Sequence, residues 1–266
     1  MIFVLGAIIL LFALYLFFLV GRTGHKKLDS LRHWRYAHRG LHAPGAPENS
    51  MAAFRRALDG GYGIELDVHL SKDGKLVVEH DDALRRTCNS ELIIEKTDWE
   101  TLSALHLEGT EERLPLLEEV FSLIDGKVPL LIELKAVGGN WNALAQAVCE
   151  ALKGYNGPYC IESFEPRALL WLRKNAPHIV RGQLAGHVRK NGNVSPVINF
   201  ALKNLLVNVL SRPDFVAYQY KDYKNLSFRL CKTLFRPPLF FWTVRSDEGM
   251  ALSERFDAAP IFEKID

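Results

Sequence analysis

Cysteine is scarce in this chain of 266 residues. The four present, Cys88, Cys149, Cys160 and Cys231, stand far apart. No pair has the spacing of a structural metal site, and scattered reduced thiols suit a reducing compartment. An excess of charge of either sign is also lacking. Lys and Arg number 33 against 31 Asp and Glu, a formal net charge of +2. That balance excludes the broad basic face of a nucleic-acid binder. The first apolar run has no positive residue ahead of it and no small-x-small cleavage site behind it, and a cleaved secretory leader needs both.

What is present begins with that run. Ile2 to Val20 carries no charge, and as a helix it would rise ~28 Å, enough for a bilayer core. Arg22, Lys26 and Lys27 follow at once, then Arg32 and Arg35. The expectation is a single-pass, uncleaved anchor over 1–20, a polar linker over 21–31 and a catalytic domain over 32–266. The basic flank predicts attachment to the cell membrane with the domain on the cytoplasmic side. Cleavage and secretion is the alternative.

The stretch from Tyr36 to Asp82 organises the rest. Trp34 to Ala37 reads as a short buried strand ended by Gly40, so His38 and Arg39 sit where strand gives way to loop. Asn49 or Ser50 can cap a helix through Met51, Phe54, Ala57 and Leu58 that stops at Gly60-Gly61. Gly63 to Leu70 is the second strand, with Glu65, Asp67 and His69 on one face. A half-exposed strand with solvated carboxylates is the plainer reading of that alternation. Ser71-Lys72-Asp73-Gly74 is a turn, and the link to the strand at Lys75 to His80 is too short for a parallel crossover. A hairpin is predicted, and its return brings His80 back beside His38, Arg39, Glu65 and Asp67.

Two carboxylates side by side repel unless a cation lies between them, and hard oxygens suit Mg²⁺ or Ca²⁺. An arginine fork matches phosphate oxygens, and two imidazoles can share acid and base work. Together these point to hydrolysis of a phosphate ester.

His38-Arg39-Gly40, Pro47-Glu48-Asn49-Ser50, Glu65-x-Asp67, Lys72-Asp73-Gly74 and His80-Asp81 resemble, in order and spacing, the signature of the glycerophosphodiester phosphodiesterase family. The resemblance runs from Tyr36 onward and is strongest before Thr87. It implies a TIM-type (β/α)8 barrel, one divalent cation, and cleavage of a glycerophosphodiester to an alcohol and glycerol phosphate. Downstream, Glu133-Leu134-Lys135 is similar to the family's Glu-x-Lys and Trp242-Thr243-Val244 to its late Trp-Thr-Val. The resemblance makes Glu133 a third metal ligand with Glu65 and Asp67. Arg39, Lys135 and Trp242 become substrate contacts, and His38 and His80 the catalytic pair. Read without the resemblance, Glu133 and Lys135 are a solvent-facing ion pair and Trp242 is plain core. The family's last strand ends in a Thr-Asp type pair; here Phe262-Glu263 stands instead, and no role is carried over.

Setting the hairpin aside, parallel strands are expected to begin near 34, 63, 128, 159, 179, 214, 239 and 259, alternating with helices, which closes as a barrel. Leu114 to Phe121 is expected to open a helix with Pro115 in its first turn. Residues 196–212 read as one helix with a narrow polar stripe. It packs on the barrel wall or dips into the membrane surface, helped by Arg189-Lys190. The second option, with the anchor, favours lysophospholipid substrates. A metal-independent phospholipase C-like enzyme and a non-catalytic membrane-tethered scaffold are the rival functions.

Overall fold

The computed structural model describes residues 1–187 and 195–263. Helix α1 (Ile2–Leu19) precedes strand β1 (Tyr36–Ala37), helix α2 (Met51–Asp59) and the strands β2 (Gly63–Leu70) and β3 (Leu76–Val78). Short helices α3 (Arg85–Cys88) and α4 (Trp99–Leu102) and then α5 (Leu117–Ile124) lead to β4 (Leu130–Leu134). There follow α6 (Trp141–Ala151), β5 (Tyr159–Ser163), α7 (Pro166–Asn175) and β6 (Arg181–Ala185). Helices α8 (Pro196–Lys203) and α9 (Asn208–Ser211) precede β7 (Phe215–Gln219). The chain ends with α10 (Leu226–Phe235), β8 (Leu239–Val244), α11 (Asp247–Phe256) and β9 (Ala258–Phe262).

Among the described residues, eight parallel strands close into a barrel. Strand β1 pairs with β2 (Tyr36 opposite Gly63) and with β9 (Tyr36 opposite Ile261), which joins the two ends of the sheet. The predicted hairpin forms: β3 runs antiparallel to β2, with Val68 opposite Val78. Alternation sorts the side chains. Leu130, Ile132 and Leu134 of β4 pack outward against the helices, whereas Leu131 joins Tyr36, Cys160, Phe215, Ala217 and Phe240 inside the barrel. Inward positions are therefore apolar at the barrel floor and become carboxylates toward the strands' C-terminal ends.

Three expectations are corrected. The 21–31 stretch does not run free as a linker. Leu28 and Leu31 are buried in the cluster at the floor, and Arg22 is paired with Asp214. Its polar composition hid two leucines that plug the barrel's floor. Residues 196–212 are not one helix, because Leu205 adopts φ 57° and splits the stretch into α8 and α9. That turn lets Leu202, Leu205 and Val207 face the core while Val197, Ile198 and Phe200 stay exposed. Arg189 and Lys190 lie outside the described residues. Helix α5 starts two residues after Pro115, whose carbonyl accepts the Val78 N–H instead. Helix α10 was not foreseen.

The C-terminal end of α1, from Tyr15 onward, is fixed to the barrel wall. The Leu19 carbonyl accepts from Asn208 Nδ2 (3.1 Å) and Cys231 Sγ, Arg212 donates to the Phe17 and Val20 carbonyls, and Tyr15 donates to Ser227 Oγ (2.7 Å).

Candidate active site

The first turn of the site depends on backbone geometry that a short motif dictates. Arg39 (φ 57°) and Gly40 (φ 77°) both adopt left-handed conformations after β1. A Cβ on Gly40 would lie 2.9 Å from Ala53, so only glycine lets the turn sit on α2. Asn49, also left-handed at φ 54°, donates its N–H to the Arg39 carbonyl (2.9 Å). Its side chain donates to Asp67 Oδ2 at 2.8 Å and so aims that carboxylate. Ser50 then caps α2 by accepting from the Ala53 N–H at 3.1 Å. One tetrapeptide thus locks the first turn, starts a helix and orients an acidic side chain.

Strand register gathers the acids. Asp67 stands opposite Glu133 across β2 and β4, and Glu133 opposite Glu162 across β4 and β5. Carboxylate oxygens of Glu65, Asp67 and Glu133 lie within 4.8 Å of one another, all three buried. The Arg39 N–H donates to Glu65 Oε2 (2.8 Å). The Lys135 ammonium lies 2.9 Å from Asp67 and 2.7 Å from Glu133, with 7% of its side chain exposed. The Glu133–Lys135 pair is therefore real but turned into the mouth rather than to solvent.

Burial pushes the Glu65 carboxyl well above its usual range, and the neighbouring Asp67 and Glu133 charges push the same way. Asp67 behaves oppositely. Burial raises it, but Lys135, His80, Arg39 and His38 together hold it well below the ordinary range. Burial also raises Glu162 well above, beneath the same charges. Hard, crowded carboxylate oxygens that repel one another are the donor set a divalent cation suits, so the residues present fit such an ion.

The two histidines are held alike from opposite sides. The Glu79 N–H donates to the Asp67 carbonyl (3.1 Å), so the hairpin's return stroke brings His80 to the mouth. His80 Nδ1 lies 2.6 Å from Asp81 Oδ1, and Arg86 links Asp81 to Glu48, which also pairs with Arg39 at 2.8 Å. His38 Nδ1 lies 3.0 Å from Glu263 Oε1, and Glu263 is forked by Arg245. Each imidazole therefore has Nδ1 fixed by a carboxylate that an arginine holds in turn, an arrangement that sets the ring's orientation. Burial lowers His38 to about 4, against the raising pull of Glu263. His80 gains a further support, since His69 Nε2 meets its carbonyl at 3.2 Å while His69 Nδ1 meets Glu95 at 2.5 Å.

All eight residues expected from the sequence stand on the C-terminal rim of the barrel. Trp242 forms one wall: its Nε1 donates to the Ala217 carbonyl (3.0 Å) and its ring meets Phe164 edge-on at 5.4 Å. Sequence reasoning missed Glu263, Glu95, Asn49's grip on Asp67 and the Glu48–Arg86 link. Glu263 had no matching residue pair to flag it. A carboxylate one residue past an apolar strand end was the signal available.

Residues 38–263 match the model of the glycerophosphoryl diester phosphodiesterase family. A glycerophosphodiester phosphodiesterase of Caldanaerobacter subterraneus is 39% identical over 56% of this chain and 65% of its own length. A lysophospholipase D of Homo sapiens is 35% identical over 49% of this chain and 47% of its own. The matched stretch thus spans between about half and two thirds of these relatives. Among solved structures, a phosphodiesterase of Oleispira antarctica in complex with the product sn-glycerol-3-phosphate superposes with a TM-score of 0.72 at 25% identity, covering 91% of this chain and 95% of that one. A glycerophosphodiester phosphodiesterase of Thermotoga maritima gives 0.66 at 27% identity, covering 86% and 94%.

Proposed function

The chain belongs to the glycerophosphoryl diester phosphodiesterase family, and from that premise we propose that it hydrolyses glycerophosphodiesters to an alcohol and glycerol 3-phosphate with the help of one divalent cation, Mg²⁺ or Ca²⁺. The observation that carries this reading is the cluster of Glu65, Asp67 and Glu133 within 4.8 Å, ringed by Arg39, Lys135 and two carboxylate-held histidines.

Glu65, Asp67 and Glu133 would hold the cation, which when bound polarises phosphate oxygen and offsets the charge built up on it. The remaining work falls to the chain's own groups. Arg39 presents a guanidinium fork at the rim, and Lys135 adds a buried positive charge for the phosphate. His38 is neutral at pH 7, since burial lowers it to about 4. A neutral imidazole can accept a proton, so His38 takes the proton from the attacking water as its oxygen bonds to phosphorus. His80, more open at 27% side-chain exposure and backed by Asp81, gives a proton to the departing alcohol oxygen as the P–O bond breaks. Trp242 and Phe164 line the wall that the glycerol or head group meets.

Helix α1 has the length and hydropathy of a membrane span, with a mean hydropathy of 3.0. With the basic residues that follow, this supports a membrane anchor with the barrel on the cytoplasmic face of the cell membrane.

The direct test is product analysis on glycerophosphocholine, comparing the protein with His38→Gln. Choline plus glycerol 3-phosphate is expected, with turnover in the variant lower by about 10²–10⁴-fold. Phosphocholine plus glycerol would overturn the reading in favour of a phospholipase C-like cut. No cleavage of any diester by the folded protein would favour the scaffold.

A further inference from the structure

Helix α1 does not hang from the closed end of the barrel. Its C-terminal end is at the floor: the Arg22 N–H donates to the Pro213 carbonyl and its side chain pairs with Asp214, just ahead of β7. Going backward along α1, Leu19 meets Cys231 midway along α10, and Tyr15 meets Ser227 at the start of α10, on the rim side. Helix α1 therefore climbs the wall from floor to rim. Residues 2–14, all exposed, continue beyond the rim for about 20 Å. Whatever apolar phase receives them lies on the side where the active site opens.

The rim beside this exit is itself apolar. Val197, Ile198 and Phe200 of α8 are 75%, 53% and 63% exposed, and Leu226 at the start of α10 is 66% exposed. One chain of hydrogen bonds joins the three elements: Tyr15 donates to Ser227 Oγ, and Ser227 donates to Asn204 Oδ1 at the end of α8. Exposed Lys221, Lys224 and Arg229 flank them, a charge that suits anionic headgroups. Just past β6, Gly186 lies against Trp242 and the His187 N–H donates to Asp222.

We propose that the catalytic rim lies flat against the lipid surface that receives α1, with α8 and Leu226 seated among the headgroups. The substrate class that follows is a glycerophosphodiester still carrying an acyl chain, taken directly from the bilayer. This deepens the proposed activity and rests on it only for the choice of substrate. A rim facing water would require the acyl chain to leave the lipid before binding, and every methylene exposed raises that cost. A rim facing the lipid lets the phosphate reach the Arg39 side of the mouth while the chain stays behind.

The test uses the full chain in vesicles of phosphatidylcholine and phosphatidylglycerol, with a photo-crosslinking amino acid at Ile198 or, on the floor side, at Lys153. Lipid adducts about tenfold or more abundant at 198 than at 153 are expected. Equal adducts, a preference for 153, or adducts from 198 to a second copy of the chain would each overturn the proposal. In parallel, V197S/I198S/F200S should lose about tenfold in turnover of a lysophospholipid in those vesicles, and keep its turnover of a water-soluble deacylated diester within about twofold. Equal loss on both substrates, or loss on neither, contradicts it. Crosslinking needs no catalysis. A wild-type chain that cleaves nothing therefore strikes at the phosphodiesterase reading, while the adduct pattern still decides the orientation.

Discussion

At the scale of single residues, the site works through pairs rather than lone groups. Glu263 illustrates this. Its carboxylate fixes His38 Nδ1 and is itself held by Arg245, so it sets the ring's orientation. Glu263→Gln should lower kcat by about 10–100-fold and leave KM within a few-fold, because orientation of the base is lost but substrate contacts are not. A drop in binding alone would contradict that role. Glu79 makes a separate prediction. Burial raises its carboxyl to about 7, and its Oε1 accepts the Asp81 N–H at 3.2 Å. Between the ordinary value of 4.5 and about 7 the folded chain holds a proton that the unfolded chain has released. That contribution to stability is complete below 4.5 and is lost as pH rises through about 7. Denaturant unfolding should show Glu79→Gln, which keeps the acceptor, gaining on the wild type across that window. The gain should be on the order of 3 kcal/mol by pH 8. A pH-independent difference would refute it.

At the scale of elements, the turn after β1 and the hairpin after β2 deliver most of the chemistry. Gly40→Ala would combine a left-handed φ with a contact of 2.9 Å to Ala53. It should cost about 1–3 kcal/mol in thermal unfolding and weaken activity by displacing Arg39; an unchanged melting temperature would argue that the turn relaxes freely. This is also the scale at which the sequence was most and least legible. Glu65 and Asp67 could be read because they alternate with apolar positions on one strand, and Glu133 because Glu133-Leu134-Lys135 resembles the family's Glu-x-Lys. His80 could be read because a four-residue turn leaves only a hairpin. Glu95 and Glu263 could not, since each reaches its histidine from an element distant in sequence and carries no local pattern. The break at Leu205 was hidden because nothing in a run of leucines and valines marks a left-handed turn. The packing of Leu28 and Leu31 was hidden because two apolar residues among lysines and arginines look like a tether.

At the scale of the molecule, the barrel separates two tasks. Its interior is apolar at the floor, where Tyr36, Phe215 and Phe240 meet Leu28 and Leu31. Its mouth carries the charges, whose mutual repulsion is tolerated because the closed sheet around them is rigid. Helix α1 adds the third component, since it runs along the same wall and ends beyond the same rim. The apolar packing and the charged cluster therefore lie at opposite ends of one sheet, and the exposed apolar end of α1 lies on the side of the charged cluster.

The measurement that bears most directly on the account is hydrolysis of glycerophosphocholine by the full chain with Mg²⁺, with Ca²⁺ and with excess chelator, beside Glu65→Gln. The account predicts that one of the two ions supports turnover. It also predicts that chelator abolishes turnover reversibly and that the variant loses about 10²-fold or more at any metal concentration. Turnover that persists in chelator, or a Glu65→Gln protein as active as the wild type, would contradict the assignment of the buried carboxylate triad as a metal site.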